Sequence, residues 1–205
     1  MMYRNIVIAA VCLALGACSA TTSKPRPKAQ IEIQEQVGFT ITEKVSVSDS
    51  VRQDYEQALV LLEQGQAGQG IGILESVVER APYVSGPRID LGIAQRRAGE
   101  LELAEQHLLK ALELNPDHPV VHNELGIIYR MTGRFAEAKR SYEAALAVYP
   151  GYHHARRNLG VLCDLYLADP ECALANYEAY MTTVPGDDEA AMWIADLRMR
   201  LGEKE

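Results

Sequence analysis

Five histidines (His107, His118, His122, His153 and His154), four cysteines and many scattered carboxylates are the groups able to do chemistry in this chain of 205 residues. His118 and His122 stand four apart beside Asp117 and Glu124, a spacing that puts two imidazoles on one helix face where zinc could be held. The rest of a zinc site is missing from the sequence: there is no HExxH pattern and no second histidine pair at ligand spacing, so no metal is expected. Neither Cys163 nor Cys172 has a histidine at a spacing recognisable for thiol catalysis. A glycine-rich phosphate loop and a serine nucleophile elbow are also lacking, and the carboxylates recur where outward helix faces should be. The expectation is a protein that is not an enzyme, with no catalytic residue and no cofactor.

The elements that carry these groups follow a strict interval. Prolines fall at Pro82, Pro116 and Pro150, each 34 residues from the last, and Gly65, Gly99 and Gly133 keep the same spacing. Small residues recur at Ala58, Gly92, Gly126 and Gly160 and again at Gly70, Ala104 and Ala138, with large apolar residues at Leu74, Leu108 and Tyr142. After Gly160 the pattern slips by one residue, to Ala173, Tyr177 and Pro185, as a single insertion would cause. Small residues at facing positions let two antiparallel helices approach closely, while the glycines and prolines end the helices and start the turns. One such pair cannot bury its apolar face alone, but several stacked pairs can.

This pattern resembles the tetratricopeptide repeat, a helix pair of 34 residues. The segment from 119 to 152 carries Leu125, Gly126, Tyr129, Gly133, Phe135, Ala138, Tyr142, Ala145 and Pro150 at the family's positions. The tryptophan often found near the start of the repeat is replaced by Asp54, Arg88, His122 and Arg156. The resemblance implies an all-α fold, a right-handed superhelical solenoid. Its repeats cover about 51–84, 85–118, 119–152 and 153–187, and a capping helix at 188–202 completes a domain of 51–202. Within the cap, Trp193, Ile194, Leu197 and Leu201 should face the stack while Asp196, Arg198 and Arg200 point outward. Composition agrees with a globular domain, at 48% hydrophobic and 23% charged residues. A net charge of -8 without a basic stripe argues against nucleic acid, which needs phosphate neutralisation.

The start of the chain reads differently. Arg4, an apolar run from Ile6 to Leu15 and then Leu15, Gly16, Ala17 and Cys18 form a charged flank, a short hydrophobic region and a small-residue cleavage site. The run is shorter than the roughly 20 apolar residues a membrane span needs. Those last four residues resemble the bacterial lipoprotein lipobox, which implies a signal peptide at 1–17, acylation of Cys18, and, with Ser19 rather than aspartate following, sorting to the periplasmic face of the outer membrane. Residues 18–50 would then be the lipidated N-terminus, a flexible tether reaching ~40 Å at about 3.3 Å per residue, and an extended segment.

With Cys12 in the leader and Cys18 lipidated, Cys163 and Cys172 remain, flanking the irregular turn where Leu167 stands in place of the repeat's glycine. Two readings stay open: a disulfide that pins this turn, or two buried thiols packing as small hydrophobes. Between tether and repeats, Ile31, Ile33, Val37, Phe39, Ile41, Val45 and Val47 are all odd-numbered, the period of a strand with one buried face. Its apolar face could pack along the solenoid, fold as a small hairpin turning at Thr42-Glu43-Lys44, or stay extended and add to a partner's sheet.

In tetratricopeptide proteins the first helices line a groove through their second, fifth, sixth, ninth, twelfth and thirteenth positions. Carried onto this chain, the candidates are Arg52, Tyr55 and Leu59 in the first repeat and Ile89, Ile93 and Arg96 in the second. The third contributes Asn123, Ile127 and Arg130, and the fourth His154, Arg157, Asn158 and Val161. Apolar members offer area, asparagine amides can pair with an extended backbone and arginines can hold acidic side chains. The family's Lys and Asn clamp for a terminal carboxylate is absent. The expected function is a lipid-anchored periplasmic scaffold that binds another envelope protein and assists a pilus or secretion complex, by resemblance to the pilotin lipoproteins of type IV pilus secretins. The alternative is an adaptor for a periplasmic protease, a peptidoglycan enzyme or an ion-driven envelope motor. Convex-face binding is the competing location, and sequence carries no signal for oligomeric state.

Overall fold

The computed structural model describes residues 30–34 and 38–202, so the leader, Cys18, the tether and Val37 lie outside the described residues. Among the described residues, eight helices form four antiparallel pairs: α1 (Asp49–Glu63) with α2 (Ala67–Arg80), α3 (Ser85–Ala98) with α4 (Leu101–Leu114), α5 (Pro119–Met131) with α6 (Phe135–Val148), and α7 (His153–Leu165) with α8 (Pro170–Met181). A ninth, α9 (Asp188–Leu201), packs on α8. Successive pairs stack α2 on α3, α4 on α5 and α6 on α7, which produces the superhelical solenoid of tetratricopeptide helix pairs with a C-terminal cap.

The recurring residues do what their sizes require. A Cβ placed on Gly126 would lie 2.5 Å from the Tyr142 ring, and one on Gly160 2.6 Å from the Tyr177 ring, so the helices of each pair touch where the side chain is missing. Leu74, Leu108 and Tyr142 are fully enclosed in the gaps beside them. Gly65, Gly99 and Gly133 take positive φ at the ends of α1, α3 and α5. In the fourth pair Leu167 does not assume this role; the inserted residue shifts the left-handed conformation to Ala168, at φ 51. Cys163 and Cys172 are joined across this turn by a disulfide, with their Cα atoms 5.8 Å apart. The Asp169 carboxylate caps α8 by accepting from the Cys172 N–H at 3.0 Å.

The positions that lack tryptophan have a shared use. Arg88 donates to the Pro82 carbonyl at 3.2 Å, His122 Nε2 to Pro116 at 2.8 Å and Arg156 to Pro150 at 3.3 Å, while Asp54 pairs with Arg80. Arg88, His122 and Arg156 tie the first helix of a repeat to the proline turn that closes the repeat before it, and Asp54 ties the first helix of its own repeat to the end of the second. His122 is thereby committed to the turn before α5.

At the cap, Leu197 is enclosed, Trp193 lies 5.1 Å from Tyr177 ring to ring, and Ile194 and Leu201 pack against the same core. Asp187 caps α9 by accepting from the Ala190 N–H at 3.0 Å. Arg198 and Arg200 reach back to Glu178 and Asp164 at 2.6 and 2.8 Å.

Before the solenoid lie two antiparallel strands, β1 (Gln30–Gln34) and β2 (Gly38–Thr42), in the register Ile31 opposite Ile41 and Ile33 opposite Phe39. The hairpin therefore does not turn at Thr42-Glu43-Lys44: Thr42 is already paired with Gln30, and the connection falls at 35–37. Glu43 is drawn elsewhere, accepting from the Ser85 N–H at 3.0 Å and from the Ser85 hydroxyl. It supplies from a distance the cap that Val84 cannot give to α3. Phe39 sits edge-on to Tyr149 and Tyr152, at centroid distances of 5.4 and 5.6 Å. Hairpin and following strap thus run along the edge of the solenoid formed by its proline turns.

Candidate functional site: the face of the first helices

α1, α3, α5 and α7 stand side by side, so equivalent positions repeat along one face. The ninth positions are Leu59, Ile93, Ile127 and Val161, all half-buried, and they form an aliphatic stripe across the four repeats. Between α1 and α3 the stripe lines a depression of about 380 Å³, walled by Leu59 and Ile93 with Asp90 and Arg97 beside them.

Polar pairs flank the stripe and bridge neighbouring repeats. The Tyr55 hydroxyl donates to Asp90 at 2.5 Å, and Asn158 Nδ2 donates to the Asn123 side-chain Oδ1 at 2.9 Å. Both are contacts between a fifth position in one repeat and a sixth position in its neighbour. Arg96 donates to Glu124 at 2.6 Å, and Arg157 to Glu189 at 3.4 Å while its guanidinium lies 4.9 Å from the centre of the Trp193 ring. Burial pushes the Asp90 carboxyl up, against the pull of the Tyr55 hydrogen bond and Arg97. Burial, and then the neighbouring Asp90 carboxylate, raises the Tyr55 phenol.

The residues expected in the groove divide accordingly. Ile89, 6% exposed, belongs to the core with Leu108, Val121 and Leu125, because the fifth position of α3 faces inward. Asn123 is 3% exposed and already accepts from Asn158, so this pair joins two repeats before any ligand arrives. Arg96 and Arg157 are likewise engaged within the chain. Arg130 lies 5.8 Å from the Tyr166 ring centre and its Nε is enclosed without a partner. Arg52 is exposed on α1, with Asp49 3.9 Å away, and the exposed His154 stacks beside His153 and Tyr152. Burial lowers the pKa of both His153 and His154.

Asp90 and Glu124 are absent from the expected set although they occupy its sixth positions. The signal is present in the recurrence of Glu56, Asp90, Glu124 and Asn158, three carboxylates and an amide at 34-residue spacing. Chemically, the face can hold an extended apolar segment on its stripe and orient it with the peripheral polar pairs. Asp169 lies with Cys163 and Cys172 in the only compact set of His, Cys, Asp and Glu donors found among the described residues, and both sulfurs of that set are in the disulfide.

Residues 83–151 match the family model described as tetratricopeptide repeat. Among solved structures, the chain is similar to MamA from Desulfovibrio magneticus RS-1, at 18% identity over 77% of this chain and 89% of that one, with a TM-score of 0.68. It is similar to Pseudomonas aeruginosa PilF at 24% identity, covering 76% of this chain and 71% of that one with a TM-score of 0.67. It also resembles a thermophilic TPR protein of Thermus thermophilus, at 24% identity, 74% and 82% coverage and a TM-score of 0.61. At these identities the likeness is one of fold, and the fold of this chain is a tetratricopeptide-repeat solenoid closed by a cap helix.

Proposed function

We propose that the protein is a lipid-anchored periplasmic scaffold whose first-helix face binds a segment of another envelope protein and assists assembly of a complex of the pilus or secretion type. The observation that carries the binding role is the half-buried aliphatic stripe of Leu59, Ile93, Ile127 and Val161, edged by polar pairs that are already formed. Pre-paired edges hold the helices rigidly, which lowers the ordering cost of binding. Support for the anchor comes from the lipobox-like Leu15 to Cys18, and an oxidising compartment is consistent with the Cys163–Cys172 disulfide.

The test has two arms. Metabolic labelling with an alkyne fatty acid should mark wild type and not Cys18→Ser, and the variant should leave the membrane fraction. In a deletion strain, secretin multimers should fail to appear; wild type should restore them, and Ile93→Glu with Ile127→Glu should not, while keeping the helical circular dichroism spectrum. Multimers that persist in the deletion strain would refute the assembly role and leave adaptor work as the use of the same face.

A further inference from the structure

α9 is built as the first helix of a fifth repeat. Allowing for the one inserted residue, Ala195 stands where the earlier repeats place Ala58, Gly92, Gly126 and Gly160. Gly202, at φ 73, ends α9 as Gly65, Gly99 and Gly133 end the earlier first helices. In the complete repeats this small residue lies under the antiparallel second helix: a Cβ on Gly92, Gly126 or Gly160 would come within 2.8 Å of Leu108, Tyr142 or Tyr177. On α9 the same position is open. Ala195 is exposed, and among the described residues no helix lies over it.

At about 100° per residue, Asp188, Met192, Ala195 and Met199 share one face of α9, opposite the buried Ala190 and Leu197. Met192 and Met199 are 65% and 73% exposed, while Trp193, Ile194 and Leu201 pack against the stack. The face reads the same in both directions: turned end over end about a point beside Ala195, Met192 falls on Met199. A two-fold interface requires that kind of self-complementarity. The charges agree with it. The first turn of α9 is acidic, with Asp188 and Glu189, and the last turn is basic, with Arg198 and Arg200. Antiparallel pairing of two such helices sets acidic end beside basic end and opposes their dipoles, whereas a parallel pair would bring like charges together. Arg198 and Arg200 bond to Glu178 and Asp164, and with five donors each they retain N–H groups for a second carboxylate.

We propose that α9 is a self-association surface: two copies of the protein pair their α9 helices antiparallel about a two-fold axis beside Ala195, with Met192 of each packed against Met199 of the other. Each copy then provides the antiparallel helix that covers this position in the other four repeats. Alanine at the axis permits close approach, and the flexible methionine thioethers fill the space on either side. The contact lies at the C-terminal end of the stack, beyond the stripe from Leu59 to Val161. One helix on one helix is smaller than a standard interface of about 1,600 Å², so the pairing is weak and reversible.

Cysteine trapping of the full chain in intact cells, expressed in two epitope-tagged forms, reads this geometry, with the unsubstituted chain as background. Under mild oxidation Ala195→Cys should give a disulfide-linked dimer carrying both tags, because Cα atoms beside the axis fall in the bonding range of about 4.4–6.8 Å. Leu109→Cys, on the exposed side of α4, is the control and should not. Met192→Cys and Met199→Cys should each fail alone, since antiparallel pairing parts identical residues by about 10 Å, and should link to one another when expressed together. Met192→Glu with Met199→Glu should cut Ala195→Cys trapping at least ten-fold, while the purified variant keeps its helical circular dichroism. Trapping of Ala195→Cys no stronger than that of Leu109→Cys would overturn the proposal, and Met192→Cys linking to itself would overturn the antiparallel arrangement. Ala195→Cys linking only to a different protein would assign the face to a partner's helix and overturn self-association.

Discussion

Gly126→Ala is the sharpest test of how the helix pairs are built. The added methyl would lie 2.5, 2.6 and 2.9 Å from the Cε1, Cδ1 and Cζ atoms of Tyr142, where carbon atoms prefer about 3.5–4 Å. The ring has no room to yield: Tyr142 is 0% exposed and sits in the core shared by the third and fourth repeats. Relief must come from moving α5 away from α6, for which overpacking costs of about 1–3 kcal/mol are typical, and an overlap of this depth belongs at the upper end. Alanine recovers roughly 1 kcal/mol of intrinsic helix preference, leaving a net loss of about 2 kcal/mol. Gly72→Ala is the control, because Gly72 is exposed in α2 and a Cβ there meets nothing within 4 Å, so the same substitution should stabilise by about 0.5–1 kcal/mol. Urea unfolding followed by circular dichroism measures both. If Gly126→Ala is as stable as Gly72→Ala, close helix contact at the eighth position is not what holds the repeat together.

Three further outcomes are expected. Reducing the Cys163–Cys172 bond, which closes a loop with a sequence separation of 9, should lower stability by about 2–3 kcal/mol; thiol counting by alkylation and mass spectrometry, followed by unfolding with and without reductant, checks this. Burial lowers the His118 pKa from 6.5 to about 4, so folding favours its neutral form. The resulting stability is complete above pH 6.5 and is lost as pH falls through about 4, at roughly 2 kcal/mol between pH 7 and 5; the fall should be smaller by that amount in His118→Asn. Phe39→Ala removes the edge-on contacts with Tyr149 and Tyr152, and since a lone two-stranded hairpin is marginal, amide exchange at residues 30–42 should rise to near-unprotected rates while the solenoid unfolds as before.

The repeat architecture was legible in the amino-acid order because its causes are local. A glycine at a helix end, a proline in a turn and a small residue opposite a large one act over a few residues or within one helix pair, and the 34-residue interval simply copies them along the chain. Sequence alone therefore determined the four helix pairs, the cap with Leu197 inward, and the irregularity of the fourth turn. Contacts between separate repeats were out of its reach. That Asn158 is spent on Asn123, that Ile89 is core and not groove, and that Arg88, His122 and Arg156 fasten proline carbonyls depended on how one helix pair lies on the next. The same holds for the strap. Its period of two announced an apolar face, but only the stacked turns offered Ser85 to Glu43 and two tyrosine rings to Phe39, moving the hairpin's turn to 35–37 and leaving a cavity beneath the valines.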